Sequence, residues 1–202
     1  MAPFYVIKNT LYIFAGRFFN AIFVFLLVLV VSRQLGPALF GVYSFLTTVV
    51  IAANCFSNLG FDTWMVREVT KNPSQAKSYI SNILGLKIVT SLLTIFCIFV
   101  IFQNTDLPPT TLHLLWILSL SLLFNTLAQT FWHYGNCFKK FVTHSVLWAA
   151  SNFIKSVLGI GLVLFYGELE PVIWGLVIAE AASLVLSFYV IRSRFETFSP
   201  RF

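Results

Sequence analysis

Apolar residues gather in six runs, each long enough to cross a bilayer, and polar residues cluster in the short breaks between them. A helix needs about 20 mostly apolar residues to span the hydrocarbon core. On that measure spans fall near residues 11–31, 39–60, 80–102, 111–134, 144–166 and 171–191. The break SRQLGPALFG, at 32–41, reads as the first hairpin turn. Gly36 permits unusual backbone angles, and Pro37 suits the first position of the next helix, where no amide donor is needed. Between the second and third runs lies FDTWMVREVTKNPSQAKSYI. Its start predicts a short amphipathic helix over 61–72, with Asp62 as a cap and Asn72-Pro73 as the stop. Asn72, Pro73 and Gln75 then resemble a capping box that starts the third long helix outside the bilayer.

Within the runs the polar residues are also ordered. Lys87, Thr90, Ser91 and Thr94 share one helical face, as do Ser151, Asn152, Lys155 and Gly159. Ser121, Asn125, Gln129 and His133 recur at four-residue steps; Ser44, Thr48, Asn54 and Asn58 mark the second run, Glu180, Ser183 and Ser187 the sixth, and Arg17 and Asn20 the first. Turned inward, these faces enclose a hydrophilic cavity with apolar walls toward lipid. Ser, Thr and Gly at this spacing also serve simple helix packing.

Composition agrees with a membrane chain: 58% of the 202 residues are hydrophobic and 10% charged, with a mean hydropathy of +0.87. The net charge of +6 invites a nucleic-acid reading, but its distribution answers otherwise. In the six-span arrangement Lys8, Arg67, Lys71, Lys77, Lys139, Lys140, Arg192, Arg194 and Arg201 fall on one side, and only Arg33 on the other. The positive-inside rule then puts both termini in the cytoplasm and the loops at 32–38, 103–110 and 167–170 outside. The tryptophans and tyrosines lie near span ends, as an interfacial belt requires, while phenylalanine spreads through the spans. The expected fold is an all-α integral membrane protein, a bundle of six transmembrane helices forming one lobe over residues 1–202. No nucleic-acid partner is expected.

Arg17, Lys87, Lys155 and Glu180 lie inside spans, at about 2.5 to 3.5 kcal/mol each on an insertion scale. The third span can absorb this, since its fifteen Leu, Ile, Val and Phe residues return about 6 kcal/mol. Lys155 and Glu180 can pair. Arg17 and Lys87 then lack an acidic partner and are expected to serve an anionic ligand, or to snorkel to lipid phosphates. His113, His133 and His144 read as interfacial, and Asp106, Glu168 and Glu170 as solvated loop charges. Cys55, Cys97 and Cys137 are too scattered for a disulfide framework or a zinc site. No metal or cofactor motif and no catalytic signature is present, so an enzyme is not expected.

SRQLGPALFGVYSF followed by NLGFDTWMVREVTKN resembles the opening of bacterial polysaccharide flippases. These are the O-antigen and teichoic-acid exporters of the multidrug/oligosaccharidyl-lipid/polysaccharide superfamily, with a first hairpin of LGP-x-x-FG-x-Y type. The likeness covers residues 8–90; beyond them it rests on hydropathy and topology. It implies a transporter that moves an oligosaccharide on a polyprenyl pyrophosphate across the cytoplasmic membrane by alternating access around a cationic cavity. Substrate contacts are then expected from Arg17, Lys87, Lys155, Glu180, Asn54, Asn125, Gln129 and Asn152. Family members have twelve to fourteen spans in two bundles, so this chain resembles one lobe: a piece of a longer protein, a half-transporter that dimerises, or a first lobe on its own. Two other readings remain open. A multidrug exporter lobe would place acids in the cavity, and a non-transporting subunit would anchor a polysaccharide synthase through the 61–72 helix and Lys139-Lys140.

Overall fold

The computed structural model describes residues 2–138 and 140–194, and the side chains of 14, 16–138 and 140–193. The expectations for Lys8, Lys139, Arg194, Arg201, Tyr5 and Tyr12 fall outside those side chains. The described chain is helical: α1 (Ala2–Asn58), α2 (Phe61–Lys71), a 3-10 turn (Pro73–Gln75), α3 (Ala76–Gln103), α4 (Pro109–Cys137), α5 (Phe141–Tyr166) and α6 (Leu169–Arg194). Five stretches, the first including both α1 and α2, are long and apolar enough to cross a membrane.

The first two apolar runs form the single element α1, which bends at Gly36. Its φ of 72° and ψ of 175° lie in a region essentially open to glycine alone. Pro37 follows at the head of the second arm, where a missing amide donor costs nothing. Contacts fix the direction of each arm. Gly16 packs on Ser145, Ser156 Oγ donates to Phe23 O (2.9 Å), and Gly159 packs on Leu27, so the first arm runs with α5. Asn54 bonds Asn125 and Asn58 bonds Gln129, so the second arm runs with α4. Helices α4 and α5 oppose each other, for His133 faces His144 while Asn125 and Lys155 both reach Glu180. The two arms are therefore antiparallel, and the chain reverses at Gly36.

Packing differs from that of a water-soluble bundle in what it adds to the core and leaves outside. Lys87, Ser91, Ser151, Asn152, Glu180, Ser183 and Ser187 are buried, while Phe18, Phe25, Phe56, Phe96, Leu93 and Val185 are exposed. Large apolar side chains turned outward gain nothing in water but are at home against acyl chains. One apolar cluster, with Val31, Leu46, Leu115 and Ile173, occupies the end nearer the Gly36 bend. A second, with Met65, Val69, Ile80, Phe131, Trp132 and Tyr134, occupies the end where α2 docks.

Two local expectations are corrected. Asp62 does not cap α2: the capping position is Gly60, with no side-chain cap bond, and Asp62 sits buried in the first turn. The capping box at Asn72 does not form either. Asn72 ends α2, and the chain passes through the 3-10 turn before α3 begins. In both cases a tertiary or backbone partner replaced the local side-chain one.

Candidate functional site: a polar seam through the bundle

Helix α4 supplies the seam because its polar residues recur every four positions and so stack on one face. Asn125 is the hub. Its amide Nδ2 donates to Glu180 Oε1 (3.0 Å), and its Oδ1 accepts from Asn54 Nδ2 (3.1 Å) and Gln129 Nε2 (2.6 Å). Gln129 Oε1 accepts from Asn58 Nδ2 (3.2 Å), and Thr126 Oγ1 donates to Asn54 Oδ1 (3.3 Å). Lys155 Nζ donates to Glu180 Oε1 at 2.9 Å. The amides of α4 and of the second arm of α1 thus meet the Glu180 carboxylate of α6 and, through it, the Lys155 ammonium of α5; Asn54, Asn125 and Gln129 each both donate and accept. In a low-dielectric interior such a network stiffens the groups it satisfies.

The Lys155–Glu180 pair lies on a cavity of about 420 Å³ between both arms of α1 and α4, α5 and α6. Ser44, Thr48, Ser121 and Asn152 share its wall. The Asn152 amide is turned locally, donating to Trp148 O (2.9 Å). Of the residues expected at a substrate site, Lys155, Glu180, Asn54, Asn125 and Gln129 form one network, with Asn152 on the adjoining wall.

Lys87 departs from its expectation. It is not a cation awaiting an anion: its side chain is 0% exposed, and its Nζ donates to Asp62 Oδ1 at 2.6 Å and to Thr126 O at 3.2 Å. No cavity described here includes it. The reason is the docking of α2. Asp62, Met65 and Val69 stand at i, i+3 and i+7, so the acid shares the face that packs against α3 and α4. That spacing is visible in the sequence and is the signal by which Asp62 could have been found.

Arg17 occupies a separate cavity of about 350 Å³ at the α2 end, with His133, Asn136, Phe141, His144, Ser145 and Trp148. Among the described residues it forms no ion pair. The two histidine rings, read from the sequence as interfacial, face one another there with centroids 4.7 Å apart. Asn136 Nδ2 donates to His144 Nδ1 (3.3 Å). His133 reaches back to Asp62, with Nδ1 3.6 Å from Oδ2. The described His, Cys, Asp and Glu side chains form no cluster suited to a metal ion.

Among the described residues, Lys87 and Lys155 therefore carry their own carboxylates, and Arg17 does not. Such a surface can hold an anion at the α2 end and hydroxyl-bearing groups along the amides. A family model described as "Polysaccharide biosynthesis protein" matches residues 6–202. No curated protein and no solved structure matches the chain.

Proposed function

The chain belongs to this family of polysaccharide biosynthesis proteins, and from that premise we propose that it is one lobe of a transporter for lipid-linked oligosaccharide. It crosses the cytoplasmic membrane six times with both termini inside. The antiparallel arms of α1 support the count, since they make two crossings of one element. Arg67, Lys71, Lys77, Lys140 and Arg192 all belong to the α2 end, and Arg33 to the opposite end beside Gly36, which supports the orientation.

The observation that carries the proposal is the guanidinium of Arg17, exposed on the wall of an open cavity and without an ion pair among the described residues, whereas the buried Lys87 and the half-buried Lys155 each have a carboxylate. A diphosphate leaving water must keep counter-charge, and arginine's planar fork matches phosphate oxygens in pairs. Sugar hydroxyls both donate and accept, as do the amides of Asn54, Asn58, Asn125 and Gln129 and the hydroxyls of Ser44 and Thr48. The ion pair of Lys155 and Glu180 then orders the seam rather than binding the head group. Multidrug export by organic cations is less suited, because both interior acids are already neutralised by lysine. A second lobe, from a longer chain or a second copy, would close the cavity.

The test uses proteoliposomes holding a fluorescent sugar on a polyprenyl diphosphate, with dithionite quenching to count lipid in the outer leaflet. Arg17→Gln should slow translocation at least tenfold at equal protein density, and Arg17→Lys should restore part of it. Equal rates in wild type and Arg17→Gln would remove the proposal. Absence of translocation together with retained binding of glycosyltransferases would favour the anchoring subunit instead.

A further inference from the structure

We infer that Asp62 and His133 form a proton-binding site that opens on the Arg17 cavity, so that anion and proton bind together there. His133 Nδ1 lies 2.9 Å from Gln129 O, and a carbonyl only accepts, so this nitrogen carries the ring proton. The same edge of the ring faces Asp62 Oδ2 at 3.6 Å. That oxygen is buried and has no hydrogen-bond partner among the described residues, while Oδ1 is held by Lys87. With Nδ1 committed to the protein side, Nε2 is the nitrogen left to take a proton. The side chain is 31% exposed and lines the cavity with Arg17 and His144.

The bond from Nδ1–H to Gln129 O fixes the tautomer and orientation of the ring, and the Asp62 carboxylate beside it is a counter-ion for the imidazolium form. The step is a simple one: the Nε2 lone pair takes a proton from water in the cavity, and the ring becomes +1. The groups facing it are Asp62 from α2, Lys87 behind Asp62 on α3, Cys137 one turn along α4, His144 from α5 and Arg17 from the first arm. Asp62 favours the added charge. Arg17 opposes it until an anion arrives to screen it. Histidine is the side chain suited to exchanging a proton near neutral pH, and a titratable group within a membrane lobe points to function.

The choice of anion rests on the diphosphate reading above; the proton site itself does not. Farnesyl diphosphate is titrated calorimetrically into the full chain in nanodiscs, in two buffers of different ionisation enthalpy, which gives the protons taken up per ligand. Wild type should take up more than His133→Gln, the difference approaching one proton, and affinity should fall up to tenfold per pH unit as that proton is lost. Asp62→Asn/Lys87→Met, which removes both buried charges together, should lose the same uptake, whereas His113→Gln should not. Equal uptake in wild type and His133→Gln would overturn the inference and leave the diphosphate reading standing. If farnesyl diphosphate does not bind at all, that reading fails, and nitrogen-15 NMR of the labelled histidines decides the proton site. A His133 ring that changes protonation between pH 5 and 8 supports it, and one silent over that range removes it.

Discussion

Replacing Lys87 by methionine keeps the volume of the side chain and removes its charge. At 2.6 Å, and with an effective dielectric of about 20, the attraction between Lys87 and Asp62 is about 6 kcal/mol. Withdrawing two ions from water costs several kcal/mol each, so the intact pair roughly breaks even. The single variant does not, because it leaves the Asp62 carboxylate buried without its counter-ion. The expected loss is about 3 to 5 kcal/mol, or about 6 to 20 °C in Tm for a chain of this length. The double variant Asp62→Asn/Lys87→Met should recover most of that loss. Thermal unfolding in detergent, read by tryptophan fluorescence, gives all three values against Lys71→Ala. That control breaks the exposed pair with Glu68 and should move Tm by at most about 2 °C. A single variant as stable as the control, or a double variant no better than the single, would refute the assignment of Lys87 as the fastener of α2.

Other outcomes follow from the same geometry. Gly36→Ala should cost about 1 to 3 kcal/mol although nothing lies within 4 Å of the added carbon, since the strain is in the backbone; Gly36→Asn should do no better, which thermal unfolding of both variants checks. Glu180→Gln should destabilise less than Lys87→Met, because Lys155 is 21% exposed and can rehydrate its ammonium, and the same unfolding assay compares them. In a cysteine-free background, Glu168→Cys should react with a membrane-impermeant maleimide on intact cells. Ser74→Cys should react only after permeabilisation, and the reverse pattern would invert the proposed orientation.

The seam was legible where one helix writes it. Ser121, Asn125, Gln129 and His133 repeat at the helical period, so their common face follows from spacing alone. The pairing of Lys155 with Glu180 was within reach for a similar reason, since both lie mid-span on neighbouring helices and a buried charge seeks its opposite. Lys87 was misjudged because its partner belongs to a different class of segment. Asp62 stands in a short helix that hydropathy assigns to the surface, and its burial depends on how that helix folds back on α3 and α4.

By itself the sequence determined the helices, the reversal at Gly36-Pro37 and the inward direction of the polar faces, because those follow from runs, period and backbone chemistry within about twenty residues. Only the tertiary structure decided that Asp62 cancels Lys87. Asp62 and Lys87 are 25 positions apart, and His133 joins them from a third helix. Coulomb energy depends on a few ångströms of separation, and no spacing along the chain encodes that distance. The lysines were thereby satisfied from within, and Arg17 was left facing an open cavity.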